Sequence, residues 1–231
     1  MKVRETGSGC WFVVVVVTSP GRRAQGLSNT LQLMDGSPRF KLELLEQHWC
    51  APEPELDPSQ GGRLRILING VAVMDGESSD MGVARSALAL SRTLLRDHTA
   101  ESPVAEQLVL HDCGLATHIG GCGIGANWWV RHDRDSVRIE GVARFDTTFD
   151  PRESGPSERT DGVYFPEAEC VVPFGDYASE IVRLGDSVLV YAARALKDFA
   201  DDFERSEWLG WQSELQGNLD CFRARADRNE S

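Results

Sequence analysis

Alternating apolar and polar residues predict a β-hairpin in the first third of the chain. Residues 63–68 and 71–74 are β-rich runs, and only the Asn-Gly pair at 69–70 separates them. Asn-Gly favours the type I′ turn of a two-residue hairpin, in which both turn residues take positive φ. This turn sets the pairing of the two strands and is expected to place Ile66 opposite Val73, with the apolar residues of both strands on one face.

Three further stretches show the period of β-strands. Residues 39–46 alternate as a partner strand for the hairpin, and 128–132 and 137–145 form a second hairpin around 133–136. A short strand is expected at 168–172. The apolar faces of the two hairpins are predicted to meet in one core.

Helical periodicity appears in the middle of the chain and at its end. Apolar residues recur every three or four positions over 83–97, over a helix that begins near Asp176, and over 208–222. The Pro-rich stretch 51–62 and the Pro, Ser and Gly residues of 150–160 indicate surface loops. Strands first and long helices last predict an α+β fold, with an antiparallel sheet built from hairpins and packed by a middle helix and a C-terminal helical hairpin.

The first 33 residues do not share these patterns. Their one apolar run, Cys10 to Val17, is consistent with a strand, with a degenerate signal peptide, or with a tail translated from an upstream start. The eight residues of this run are far fewer than the roughly 20 that span a bilayer. We interpret residues 1–33 as a disordered or over-extended tail and residues 34–231 as a single α+β domain, with Met34 as the first residue of that domain.

This interpretation predicts that deleting residues 1–33 leaves folding intact. The truncated and full chains are expected to melt at the same temperature in parallel thermal scans. If the truncated chain melts several degrees lower, which corresponds to roughly 1 kcal/mol or more in a domain of this size, the apolar run is a strand of the fold.

The net charge of the chain indicates which classes of molecule are expected to bind it. The chain carries a formal net charge of −12, and residues 34–231 hold 20 basic and 35 acidic side chains. An acidic surface repels nucleic acid and anionic membranes, so neither is an expected partner, whereas a basic protein is. Six cysteines without the dense spacing of a disulfide scaffold indicate reduced thiols and a cytoplasmic location.

A cluster of histidines and cysteines is the first candidate for chemistry. Two imidazoles and two thiols lie within twelve residues, and they are ligand types of tetrahedral zinc: His111, Cys113, His118 and Cys122. Their spacing departs from the usual Cys-x-x-Cys knuckle. The alternative is that the cysteines are small core residues and the histidines cap strand ends. The cluster therefore supports a metal-dependent enzyme or a zinc-stabilised domain only as a rival hypothesis.

Other catalytic signatures are absent from the sequence. The glycines of 120–125 resemble a phosphate loop, but such a loop opens a helix, and the aromatic run that follows predicts a strand. There is no Gly-x-Ser-x-Gly, no His-Glu-x-x-His and no Walker A lysine. The sequence therefore assigns no catalytic residue and no cofactor.

An acidic and aromatic segment near the C-terminus is the second candidate site. Its carboxylates can steer a basic partner and its tryptophans can anchor it. The candidate partner-binding residues are Asp198, Asp201, Asp202, Glu204, Glu207, Trp208 and Trp211. The same tryptophans have the spacing of a core stripe, which is the structural alternative.

Three stretches carry a resemblance to a group of small bacterial proteins, namely 121–132, 165–177 and 201–208. The resemblance covers about Met34 to Phe222, and these motifs belong to a fold and not to a reaction. In general character such acidic domains are similar to immunity proteins, which neutralise toxin enzymes. The leading expectation is a non-catalytic, immunity-like protein-binding domain whose acidic surface complements a basic partner.

Overall fold

The computed structural model describes residues 38–49, 60–77, 80–111, 124–146, 162–194 and 202–229. Residues 37–231 form one compact unit, and the predicted tail 1–33 lies outside the described residues. The strands are Phe40–Trp49 (β1), Gln60–Ile68 (β2), Val71–Asp75 (β3), Met81–Gly82 (β4), Val109–Leu110 (β5), Gly125–Asp133 (β6), Ser136–Phe145 (β7), Val163–Tyr164 (β8) and Cys170–Pro173 (β9). The α-helices are Val83–Arg92 (α1), Phe174–Ala193 (α2) and Asp202–Asn229 (α3).

The strands form two antiparallel sheets, which confirms the predicted α+β class. In the first sheet β2 lies between β1 and β3 and also pairs with β4. The second sheet has the order β5-β6-β7-β8, and β9 pairs with β7 beside β8. An isolated bridge between Met81 and His111 joins the two sheets where β4 meets the end of β5. The buried faces of both sheets contribute to one hydrophobic core.

The Asn-Gly hairpin is confirmed, and its register contains one correction. Asn69 and Gly70 have φ of 51° and 80°, as a type I′ turn requires. Ile66 pairs with Met74 instead of Val73, because a β-bulge inserts Val73 as an extra residue. The bulge allows two consecutive residues, Val73 and Met74, to be buried, which strict alternation would not.

Two predicted boundaries also move. Strand β2 begins at Gln60, so residues 60–62 extend the strand and not the loop; residues 51–59 of that loop lie outside the described residues. A Cβ on Gly62 would lie 2.2 Å from the Glu46 carbonyl oxygen, so this close pairing of β1 and β2 requires glycine. Helix α1 ends at Arg92, several residues before the predicted end at position 97, and continues only as turns.

The second hairpin has its predicted face and a tighter turn. Val130 pairs with Ile139, and both side chains are buried together with Trp128. Two residues, Arg134 and Asp135, make the turn, where the sequence suggested four. The two hairpin faces pack together as predicted.

The last two helices form the predicted helical hairpin. Ile181, Leu184 and Val188 of α2 and Leu215 and Leu219 of α3 are buried. Their contact is close, because a Cβ on Gly185 would lie 2.9 Å from Leu219. Arg223 of α3 donates to both carboxylate oxygens of Asp186 in α2, at 2.6 and 2.7 Å. Neither α2 nor α3, the two long helices in the described part of the chain, carries an apolar stretch that would bridge a bilayer.

Helix α2 also binds the outer edge of the first sheet. The Leu42 N–H of β1 donates to the Glu180 carboxylate at 2.8 Å. The guanidinium of Arg183, one turn later, donates to the Leu42 carbonyl and to the same Glu180. An ion pair on a helix thus supplies the donor and acceptor that a neighbouring strand would supply at this position.

Candidate functional site

Four aromatic rings from three elements meet at one end of the fold. The Trp208 ring in α3 lies 5.6 Å from Trp49 at the end of β1 and 5.3 Å from Trp211 one turn later in α3. Trp49 in turn lies 5.1 Å from Tyr191 at the end of α2. These centroid distances are those of attractive aromatic pairs, so the rings stabilise the junction of sheet and helices.

The four rings differ in burial: one is buried and supports the other three, which are half-buried. Trp208 is only 5% exposed, whereas Trp49, Tyr191 and Trp211 are half-buried. Next to them in the chain, Val190 and Leu209 are 53% and 54% exposed. We call the half-buried and exposed set the aromatic surface: Trp49, Val190, Tyr191, Leu209 and Trp211.

Helix α3 places only part of the acidic segment that the sequence singled out. Asp198 and Asp201 lie outside the described residues, whereas Asp202, Glu204 and Glu207 occupy the first turns of α3, directly before Trp208. Acidic residues at a helix N-terminus interact favourably with the helix dipole.

Sequence reasoning missed Trp49 and Tyr191. Trp49 lies 159 positions before Trp208, so no local period links them; only the fold does. One signal was available: Trp49 ends an alternating strand, and the stretch that follows it, predicted to be a loop, carries Glu53, Glu55 and Asp57. A tryptophan beside an acidic loop repeats the pattern that marked the C-terminal segment. Those three acids lie outside the described residues.

Of the four residues in the candidate metal cluster, the structure describes only the first. His111 is described, at the bridge to Met81, with its N–H donating to the Ile124 carbonyl at 3.0 Å. Cys113, His118 and Cys122 lie outside the described residues. Within the described ranges, no group of three or more His, Cys, Asp or Glu side chains is arranged to hold a metal ion.

We expect the purified protein to contain no stoichiometric zinc, because the spacing of the four residues does not match known zinc knuckles. Elemental analysis after dialysis measures this directly. One zinc per chain that disappears when Cys113 and Cys122 are both changed to Ser would instead establish the metal site.

Two histidines in the described part of the chain have well-defined partners. The buried His98 ring accepts the Val104 N–H at Nδ1 (3.0 Å) and faces the Asn127 side-chain oxygen from Nε2 (3.1 Å). A backbone N–H can only donate, so Nδ1 carries no proton and Nε2 carries one. Burial lowers the pKa of His98, and the Asn127 hydrogen bond opposes that shift. His98 therefore acts as a neutral, structural ring.

His132 forms an Asp-His pair of the kind that hydrolases use. Asp97 accepts from the His132 backbone N–H at 2.9 Å and from its Nδ1 at 2.8 Å. These hydrogen bonds, with the backbone bond largest, lower the pKa of Asp97. The other ring nitrogen, Nε2, is buried and makes no hydrogen bond to any residue that the structure describes. Among those residues no nucleophile is therefore in contact with it.

Cys170, one of the two cysteines in the described part of the chain, does not offer a reactive thiolate. Burial raises the pKa of Cys170 to about 11, so its thiol stays protonated near neutral pH. Cys221 is exposed on α3. The described part of the chain thus presents an aromatic surface more clearly than it presents catalytic machinery.

Comparison with models of protein families, with curated proteins and with solved structures finds no match to this chain.

Proposed function

We propose that this chain is a non-catalytic, cytosolic protein-binding domain that takes up a basic protein partner on the aromatic surface, in the manner of an immunity protein. The observation that supports this proposal best is the group of four rings, in which buried Trp208 supports half-buried Trp49, Tyr191 and Trp211. The resemblance to immunity proteins is part of the same proposal.

Rigid, partly exposed aromatic side chains are the usual anchors of protein interfaces. They bring large contact area at little cost in conformational entropy, and hot spots are enriched in Trp and Tyr. Val190 and Leu209, next to Tyr191 and Trp208 in the chain, are each more than half exposed, and we include them in the proposed binding area.

Charge selects the partner. The domain carries 35 acidic and 20 basic side chains over residues 34–231, and acidic stretches adjoin both Trp49 and Trp208 in the chain. A basic protein would be attracted over about one Debye length, roughly 10 Å at 0.1 M salt. Steering of this kind speeds association, while the apolar anchors slow dissociation.

The test is a comparative capture from the native cell. Wild-type protein, Trp211→Ala, Leu209→Ser and the control Val163→Ser are used as baits, with the bound proteins quantified by mass spectrometry. Val163 is exposed to a similar degree, 45%, but lies on β8. A basic protein that wild type and V163S retain and that W211A and L209S lose identifies the partner. Equal capture by all four baits, or no captured protein, contradicts the proposal.

Steering is tested on the purified pair. Reversing the charge at Asp201 and Asp202 to Lys is expected to slow association and to weaken its dependence on salt, because fewer charges attract the partner. Stopped-flow association rates at low and high salt measure both quantities. An unchanged rate with an unchanged salt slope would remove the acidic segment from the interface.

A further inference from the structure

A cleft opens where the two sheets come together. The residues that line it are not those of the aromatic surface. The first sheet contributes Met74 of β3 and Met81 of β4, and the second contributes the start of β6 and the end of β7. Its volume is about 220 Å³. Sites for drug-sized ligands occupy roughly 300–1,000 Å³, so this cleft suits a smaller molecule.

The walls of the cleft are apolar and adaptable. Met74, Met81 and Phe145 each bury more than nine-tenths of their surface while lining it, and Ile124 completes the apolar side. Methionine side chains are flexible and polarisable, so they fit varied aliphatic or aromatic groups and contact rings favourably. The lining therefore favours one apolar group of modest size without demanding a single shape.

The rim of the cleft carries one cation and one anion side by side. Arg144 Nε lies 3.0 Å from one carboxylate oxygen of Asp146, and Nη2 lies 3.2 Å from the other. The guanidinium also lies 6.0 Å from the centre of the Phe165 ring, which favours this position of the charge. Both charged groups line the same cleft as the methionines.

We propose that this cleft binds a free α-amino acid with an apolar side chain. In such a molecule one carbon separates the carboxylate from the ammonium group, so the two charges lie as close together as Arg144 and Asp146 do. The carboxylate pairs with Arg144, the ammonium with Asp146, and the side chain enters the apolar cleft. Charge-assisted hydrogen bonds to both groups exceed neutral ones in strength.

The opposite charges of Arg144 and Asp146 favour a zwitterion over a ligand that carries a single charge. A purely anionic ligand would meet the Asp146 carboxylate, and a purely cationic one would meet the Arg144 guanidinium, and each like-charge contact opposes binding. A zwitterion satisfies both. The residues that line the cleft are distinct from those of the aromatic surface, so amino-acid binding does not depend on a protein bound at that surface.

Calorimetric titration of the full chain with millimolar L-leucine, L-methionine and L-phenylalanine tests the proposal. The matched probes are 3-methylbutylamine, which lacks the carboxylate of leucine, and 4-methylpentanoic acid, which lacks its ammonium group. We expect saturable binding of at least one amino acid and a raised melting temperature in its presence. Each matched probe is expected to bind about tenfold more weakly or worse, as loss of one charge-assisted contact implies.

Variants locate the site. Arg144→Gln and Asp146→Asn are each expected to weaken amino-acid binding by about tenfold or more. Arg138→Gln, on the same strand and paired with Glu140 instead, is expected to bind as wild type does. Melts of the free variants check that each is folded. Absence of binding by all three amino acids, equal binding of the acid or amine probe, or unaltered binding by R144Q and D146N overturns the proposal.

Discussion

Replacing Trp208 by Ala is expected to lower the free energy of unfolding by about 3–5 kcal/mol, the usual cost of truncating a buried tryptophan. The ring is 5% exposed and contacts Trp49 and Trp211. Its loss removes apolar contacts from β1 and α3 together and leaves a cavity between them. In a domain of this size each kcal/mol lowers the melting temperature by about 2–4 °C, so the effect is large in a thermal scan.

The neighbouring residue provides the control. Leu209 is 54% exposed, and its change to Ala is expected to alter stability by no more than about 0.5 kcal/mol. Urea unfolding of both variants and wild type measures the difference. In binding assays W208A should act only through lost folding, whereas L209A should weaken binding in a folded protein. A W208A variant with the stability of wild type would show that the ring does not support the junction.

Acidification below about pH 6.5 is expected to destabilise the domain through His98. Burial lowers the pKa of His98 in the folded state below that of the unfolded chain. The stabilisation from the neutral ring is therefore complete above the unfolded pKa and is lost as pH falls through the folded pKa. Protonation would also place a proton on Nδ1 opposite the Val104 N–H, which now donates to it.

The fall in stability on acidification is limited in size because His98 takes up only one proton. Stability can fall by up to about 1.4 kcal/mol per pH unit while the unfolded chain binds one proton more than the folded chain. Unfolding free energies measured between pH 7.5 and 5, roughly the range over which an ordinary histidine titrates, test the slope. Asp97, whose pKa is lowered, contributes at lower pH, where carboxylates titrate.

A variant without the titrating ring checks the assignment. His98→Gln keeps a polar side chain at this position, is expected to be less stable at pH 7, and should lose the slope between about pH 6.5 and 5. His132→Gln is the matched control, because the half-buried His132 ring contacts Asp97 and not Val104 or Asn127, so this change leaves the surroundings of His98 in place. If H98Q and wild type depend on pH in the same way, another group is responsible.

Local chemistry explains which parts of this fold were predictable. Asn69 and Gly70 specify a turn by their own backbone preferences. This turn pairs Ile68 with Val71 without help from distant residues. The buried faces of the long helices follow from a period that each helix carries alone. Such features need no knowledge of the rest of the chain.

Features that depend on distant partners escaped prediction. The bulge at Val73 follows from what β3 packs against and not from its own pattern, because both Val73 and Met74 find buried space. The aromatic surface combines Trp49 and Tyr191 with a segment that sequence reasoning had selected alone. The sequence pattern also does not distinguish Trp208 from Trp211, whereas the fold buries the first and leaves the second half-buried.

The hydrogen bonds that Glu180 and Arg183 make to the backbone of Leu42 affect how the protein behaves at high concentration. An open strand edge can recruit the same strand of another copy, and chains joined in this way grow into aggregates. Here a helix of the same chain already occupies the donor and acceptor that such recruitment would need at the middle of β1. The ion pair therefore acts against polymerisation along this edge.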